Sequence, residues 1–309
     1  MAKKILLSSG LLLGVLLLFQ TSVFAEEAKL TNSHGINISD EEYEKLIDLG
    51  FSDLTIRTME ESEFNELIEL DPESMSRDSK FFEVKDSSIE TSNAFISSNL
   101  KPKVTELSKE EYFKRVKEQK NKVTTFDDED STSTSYRRLI TQIEKYPSGI
   151  RLHSRFVWDI MPKTRSIDVL STSIDDLYTP LPESEYGKQS WKTIHPIENV
   201  VDYGSANYSS SSSKWNRQGS GYGVKMNLKN SHAAEEVIEL EGYAYFWIAR
   251  SSSTRPNFIN AYGNYSHQAT STETNFSYSL TYGAPSISWS GVSSTDITSI
   301  TTHAQDDYY

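Results

Sequence analysis

No cysteine occurs in the 309 residues. That excludes a disulfide scaffold, a thiolate metal site, an iron–sulfur cluster and a cysteine nucleophile. Positive charge is scarce as well: 31 Lys and Arg stand against 44 Asp and Glu, a formal net charge of −13. Duplex affinity comes mainly from neutralising phosphates, so no nucleic-acid partner is expected. Beyond the first residues no apolar run is long enough to cross a bilayer, and the C-terminal Asp306-Asp307-Tyr308-Tyr309 is polar. No stable membrane anchor is therefore expected. The six histidines fall at no spacing that puts two on one helix face, and there is no Gly-x-Ser-x-Gly elbow. No cofactor, metal site or catalytic residue is assigned.

What the chain does contain begins with an export pattern. Lys3 and Lys4 precede an apolar run from Ile5 to Phe19, and Val23-Phe24-Ala25 offers small residues to a signal peptidase. The run is about fifteen residues, short of the roughly 20 a spanning helix needs. Cleavage after Ala25 and a secreted, extracellular mature chain are the expectation. With 36% hydrophobic and 11% aromatic residues, the remainder can build at least one core.

Charge divides that remainder. Residues 26–135 carry 27 acidic and 14 basic side chains, whereas residues 136–309 carry 17 and 15. Such asymmetry predicts two regions with different roles. In the acidic part, Ser39-Asp40-Glu41-Glu42 reads as a capping box, with Ile38 and Tyr43 placed for a hydrophobic staple. Gly50 suits a left-handed helix stop. Ser52 can cap a second helix, and Thr58 with Glu61 a third, closed by Pro72. Residues 26–75 are expected to form a three-helix leader. Residues 76–123 read as a mixed connecting region, with room for one or two strands within 71–106 and a helix near 109–120, its start at Ser108 echoing Ser39. Residues 124–135, with Asp127-Asp128-Glu129-Asp130, read as an acidic linker.

From Tyr136 the period changes to two. Ile150, Leu152, Ser154, Phe156, Trp158 and Ile160 alternate with Arg151, His153, Arg155 and Asp159. Segments 222–228, 236–250, 258–267 and 276–282 repeat the alternation, while 176–190, with Pro180 and Pro182, reads as a large surface loop. Gly219-Ser220-Gly221-Tyr222-Gly223 precedes a strand rather than a helix, so it reads as a hairpin entry and not a phosphate cradle. The expected fold class is a mainly β C-terminal domain, an antiparallel β-sandwich or jelly roll over 136–309, preceded by a small α-helical N-terminal region.

Two features stand out as candidate binding residues. Residues 137–165 hold seven basic and two acidic side chains. Arg151, His153 and Arg155 share one strand face, with Lys163 and Arg165 beyond Pro162. Arginine forks suit carboxylates, phosphates and sulfates. Separately, Tyr243, Tyr245 and Trp247 share a face that could stack sugar rings. Carboxylates such as Asp159, Asp168, Asp175, Asp176, Glu239 and Glu241 could hydrolyse a glycoside only if two met across a cleft, and nothing in the sequence selects a pair.

Leu46-x-x-Leu49-Gly50-Phe51-Ser52 with Ile56-x-x-Met59 resembles the leader of uncharacterised secreted proteins of Gram-positive bacteria. So do the stretches Trp158 to Ser166 and Ala261 to His267. The resemblance implies secretion, a helical N-terminal leader and a β-rich C-terminal domain. It implies no catalytic residue. The leading functional expectation is a secreted, non-enzymatic binding protein for an anionic cell-surface polymer or glycan, its acidic N-terminal region masking the basic patch. The alternatives are a membrane-active β-type toxin and a glycan-active hydrolase.

Overall fold

The computed structural model describes residues 30–85, 102–123, 134–162, 165–232, 234–254, 256–268, 275–293 and 296–308. The export pattern of residues 1–25, residues 124–133 of the expected linker, and Lys163 lie outside them.

Strands β1 (Leu30–Thr31) and β2 (Asn37–Ile38) pair and lead into helices α1 (Asp40–Asp48), α2 (Asp53–Arg57) and α3 (Glu61–Ile68). Next come β3 (Ser74–Lys85), β4 (Lys103–Leu107) and helix α4 (Lys109–Val123). The rest is strand: β5 (Thr134–Tyr146), β6 (Gly149–Ile160), β7 (Ile167–Ile174), β8 (Tyr178–Pro180), β9 (Tyr186–His195) and β10 (Val200–Tyr208). β11 (Trp215–Gln218), β12 (Gly221–Asn227), β13 (Glu236–Arg250), β14 (Phe258–Gln268), β15 (Ser277–Leu280), β16 (Ile287–Ser290) and β17 (Ile297–Asp307) complete it.

The fold is mainly β and antiparallel, as the period-two segments predict. An eight-stranded sheet runs β10-β9-β13-β6-β5-β3-β4, with β8 also on β13. A five-stranded sheet runs β11-β12-β7-β14-β17. Their facing sides bury Leu139, Leu152, Phe156, Trp158 and Phe246 of the large sheet against Leu170, Val224, Met226, Tyr265 and Ile300 of the small one. Phe156 stacks on Tyr265 with ring centroids 4.1 Å apart. The aromatic and β-branched residues of one strand face thus meet their counterparts, which is what makes a sandwich stable. Gly221, at φ +139°, sits where a Cβ would lie 2.1 Å from the Thr172 carbonyl oxygen. Its stretch is the β11–β12 hairpin entry that the sequence suggests.

The other side of the large sheet is covered by the helices. Ser39 caps α1 with Glu42 reaching back, Gly50 follows at φ +95°, and Ser52 caps α2. α3 begins differently from the expected Thr58–Glu61 box. Its N-cap is Glu60, paired with Glu63, because the Thr58 hydroxyl is spent on the Leu54 and Thr55 carbonyls and on Ser190. Leu46, Leu49, Phe51, Ile56, Met59, Phe64 and Leu67 pack together and onto Tyr243 and Tyr245 of β13.

Three expected boundaries are corrected. The 76–123 region holds the two strands its sequence leaves room for, but they belong to the sandwich rather than to a connector, since all twelve residues of β3 pair along β5 and β4 pairs with β3. The sandwich therefore starts at Ser74 rather than Tyr136, and residues 134–135 are strand rather than linker. The expected 176–190 surface loop instead holds β8 and the start of β9, both paired to β13. Finally, Ile160 leaves the inner face. Tyr136 pairs with Ile160 but Arg137 with Trp158, so Asp159 is an extra residue in β6. The bulge aims Asp159 at Arg138 and at the Tyr112 hydroxyl of α4.

Candidate functional site

Strand register decides where the candidate residues go. β13 lies beside β6 with Tyr243 opposite Arg155, Tyr245 opposite His153 and Trp247 opposite Arg151. Directly opposed residues point to the same side of a sheet. The cationic row and the aromatic row are therefore a single patch, where the sequence shows two. On its flanks β9 adds Tyr186 beside Tyr245 and Lys188 beside Tyr243, and β5 adds Gln142 beside His153 and Glu144 beside Arg151.

This patch is not an open surface. It is the side that α1–α3 cover, and Arg151, His153, Lys188, Tyr243 and Tyr245 are all buried. The expectation of an exposed cationic strip and an exposed stacking platform is corrected accordingly. Phe51, from the turn between α1 and α2, is the central cover, with its ring 5.2 Å from those of both His153 and Tyr243. Trp247 stays half-buried at the margin, 5.2 Å from the Tyr146 ring. Arg165 is not brought to the patch; it is half-buried and donates to the Ser231 hydroxyl at 2.8 Å.

Each charge in the patch meets an internal partner. Glu144 accepts from Arg151, from the Tyr146 hydroxyl at 2.6 Å and from the Gln142 amide at 2.6 Å. Burial opposes its ionisation, yet Arg151 and His153 overcome that and bring its carboxyl down to about 2. His153 Nδ1 stands 3.5 Å from Glu144. Burial pushes the His153 imidazole below its ordinary value despite that carboxylate. Burial likewise lowers Arg155, against the pull of Glu241 4.0 Å away.

The helices contribute polar contacts of their own. Glu63 of α3 accepts from Lys188 Nζ at 2.6 Å and from the Tyr243 hydroxyl. The hydroxyls of Ser52 and Thr55 in and before α2 donate to Glu241. The Gln142 amide donates to the Leu49 carbonyl at 3.1 Å, Arg77 Nη2 to that of Asp48 at 3.3 Å, and the Tyr245 hydroxyl to Glu66 at 3.3 Å. Burial lowers Lys188, although Glu63 resists, and raises Tyr243 well above an ordinary phenol.

Those contacts do not exhaust the donors. Among the described residues, Arg151 Nη1, His153 Nε2, and Arg155 Nε and Nη1 are buried without a hydrogen-bond partner. A cleft of about 300 Å³ between α2 and α4 reaches the sheet beside them, with Ser52, Lys120, Arg138, Asp159 and Glu241 among its walls.

Of the carboxylates considered for glycoside chemistry, Asp159, Glu239 and Glu241 line that one cleft, each tied to a partner, Asp159 to Arg138 and Tyr112, whereas Asp168 and Asp175 lie elsewhere. Glu241 lies under α2, while Glu239 is exposed and paired with Lys192 at 3.0 Å. Asp168 is buried between the sheets, bonded to the Tyr265 hydroxyl and 2.9 Å from His267 Nδ1. Among the described residues no group of three or more His, Asp or Glu is placed to hold a metal ion, and no helix is long and apolar enough to cross a membrane. No protein-family model matches the chain, and no curated protein matches it either.

Sequence reasoning did not single out Lys188, Tyr186, Glu144 or Glu63. Tyr186, Lys188, Ser190 and Lys192 do alternate, but Pro180 and Pro182 make the segment read as loop. Glu63 looks like one more charge on an acidic helix.

Proposed function

We propose that the protein is a secreted, non-enzymatic binding protein held in a capped state. Its binding surface is the aromatic and cationic side of the large sheet, its cap is α1–α3, and its target is an anionic glycan or cell-surface polymer. The export pattern of residues 1–25 supports the extracellular setting.

One observation carries this reading: beside its apolar contacts the cap meets the patch through buried polar groups, and among the described residues it leaves the donors of Arg151, His153 and Arg155 short of acceptors. A permanent core excludes such groups or satisfies them, because each buried, unpaired donor costs about 1–3 kcal/mol. Interfaces between parts that separate are the more polar kind. A polymer bearing carboxylate, phosphate or sulfate would supply the missing acceptors to the arginine forks. Tyr186, Tyr243 and Tyr245 would give sugar rings a surface to stack on.

The masking is local rather than a matter of bulk acidity. Among the described residues, Glu63 and Glu66 are the leader carboxylates bonded to the patch, whereas Glu41 and Glu44 belong to a separate surface cleft with Asp48 and Asp71.

The test is a protease site inserted in the connection between α3 and β3, at residues 69–73. Cut and uncut protein are compared for binding to a sulfated or phosphate-bearing polysaccharide and to its neutral counterpart. The cut form should bind the charged polymer at least about tenfold more tightly, and added salt should erase most of that gain. Equal binding by both forms at low salt would overturn the proposal.

A further inference from the structure

The four outer edges of the two sheets are not treated alike. An unpaired edge is a row of free backbone donors and acceptors that invites another strand, and proteins usually block it. β4 is five residues long, follows Pro102, and carries Lys103 and Glu106. β11 is four residues long, and its Asn216 and Gln218 side chains are tied to the Tyr278 carbonyl of the β15–β16 hairpin. β17 is held from the side, since its His303 amide donates to Asp78 of β3 at 2.8 Å and Lys145 of β5 pairs with its Asp306 at 3.1 Å.

β10 is less protected: among the described residues its hydrogen bonds beyond β9 gather at its C-terminal end, where Asn207 donates to Glu60 and the Tyr208 carbonyl accepts from Trp215 Nε1. It ends the large sheet with nine residues, Val-Val-Asp-Tyr-Gly-Ser-Ala-Asn-Tyr, all paired to β9 on the inner side. It contains no proline, no lysine and one charge, Asp202. Its approach is apolar: Val200 and Val201 are 46% and 40% exposed, and Ile197 at the hairpin tip is 97% exposed.

We propose that β10 is the interface of a two-fold homodimer, pairing antiparallel with β10 of a second copy so that two large sheets become one. A two-fold contact requires a strand that suits itself, and this one does. Centred on Gly204, the pairing sets Asp202 opposite Ala206, Val201 opposite Asn207 and Tyr203 opposite Ser205, with no like charges opposed. The cap adds charge complementarity. Arg57 lies over the Tyr203 ring at 5.5 Å, and Glu60 accepts from the Asn207 amide at 2.6 Å. Because Val201 faces the second copy's Asn207, the second copy's Glu60 falls two residues along the strand from Arg57, and the symmetry repeats the pair. The inference does not depend on what the covered patch binds.

Light scattering behind gel filtration on the full chain tests it. The expected mass is twice that of the chain. Val201→Lys with Ser205→Lys should halve that mass without changing the circular dichroism spectrum. The native absence of cysteine makes a register check clean. Asp202→Cys with Ala206→Cys should give a disulfide-linked dimer on mild oxidation, through two symmetric 202–206 links. In the unaltered chain the β10 amides should exchange slowly, and faster on dilution, a readout that needs no variant. A monomer at every concentration, or a dimer indifferent to the two lysines, would overturn the proposal. Failure to cross-link would overturn the register about Gly204.

Discussion

The large sheet has two faces that differ in chemistry. One is mainly apolar and packs on the small sheet through Leu152, Phe156, Trp158 and Phe246, with the buried Arg137 stacked on Trp158 among them. The other packs on three short helices through an apolar cluster of Leu46, Phe51, Ile56 and Leu67 with Tyr243 and Tyr245, and also through Glu63–Lys188 and Glu241 with Ser52 and Thr55. The two faces come from the same strands, alternate residue by alternate residue. Burial alone therefore does not distinguish a core from a covered site; the kind of contact does. Dispersion and area hold the first face, and they are non-directional. Apolar contact holds the second as well, but buried ion pairs and hydrogen bonds add to it there, and each charge was costly to desolvate.

Perturbing the faces one at a time should separate them. Phe156→Ala removes a ring from the apolar face and should cost about 4 kcal/mol of global stability. Denaturant unfolding monitored by circular dichroism would read it as one shifted transition. Phe51→Ala should cost about 3 kcal/mol, but hydrogen exchange should report that loss in residues 40–68 and leave β7 and β14 protected. An equal loss of protection in both places would show that the helices and the sandwich unfold as one unit.

Glu63→Ala strands Lys188 in a buried site and should weaken the cap by about 3 kcal/mol. Adding Lys188→Met should recover much of that, since an apolar pair costs nothing to desolvate. A double variant as weak as the single one would mean that Glu63 acts through Tyr243 instead.

Acid should act on the polar face first. His153 has a lowered folded value, so its contribution is whole above pH 6.5 and is lost as pH falls through that lower value. Glu144 is also lowered; its contribution is whole above 4.5 and is lost as pH falls toward about 2. Melting temperature should decline below pH 6.5 in the native chain, and His153→Gln should flatten the upper part of that decline. The smallest effect belongs to the surface pair Asp53–Arg57, exposed at 51% and 33%. Asp53→Asn should change stability by about 0.5 kcal/mol or less.

Much of the architecture was legible in the sequence because it rests on local rules. The Ser39–Glu42 box, the Gly50 stop and the alternation in β6 and β13 each report short-range geometry. What lies opposite a strand is not local. Arg151, His153 and Arg155 alternate as a solvated face would, and the partners that let them be buried are Glu144 on β5 and Glu241 on β13. Strand order is equally remote: a strand within 71–106 can be anticipated, but nothing local says that it pairs with β5. The cationic and aromatic rows looked independent because nothing in one dimension sets Tyr245 beside His153.

If the helices cap a binding surface as proposed, the shortness of the connection between α3 and β3 has a consequence for any ligand. Residues 69–73 join the cap to the very sheet it covers. An intact chain therefore presents its own cap at an effective concentration in about the millimolar range or above. A soluble competitor must exceed that, and a transient opening closes again before a dilute target can arrive. Severing the tether would change the situation in kind, because the fragment could then diffuse away, and a reversible internal equilibrium would become a one-way release.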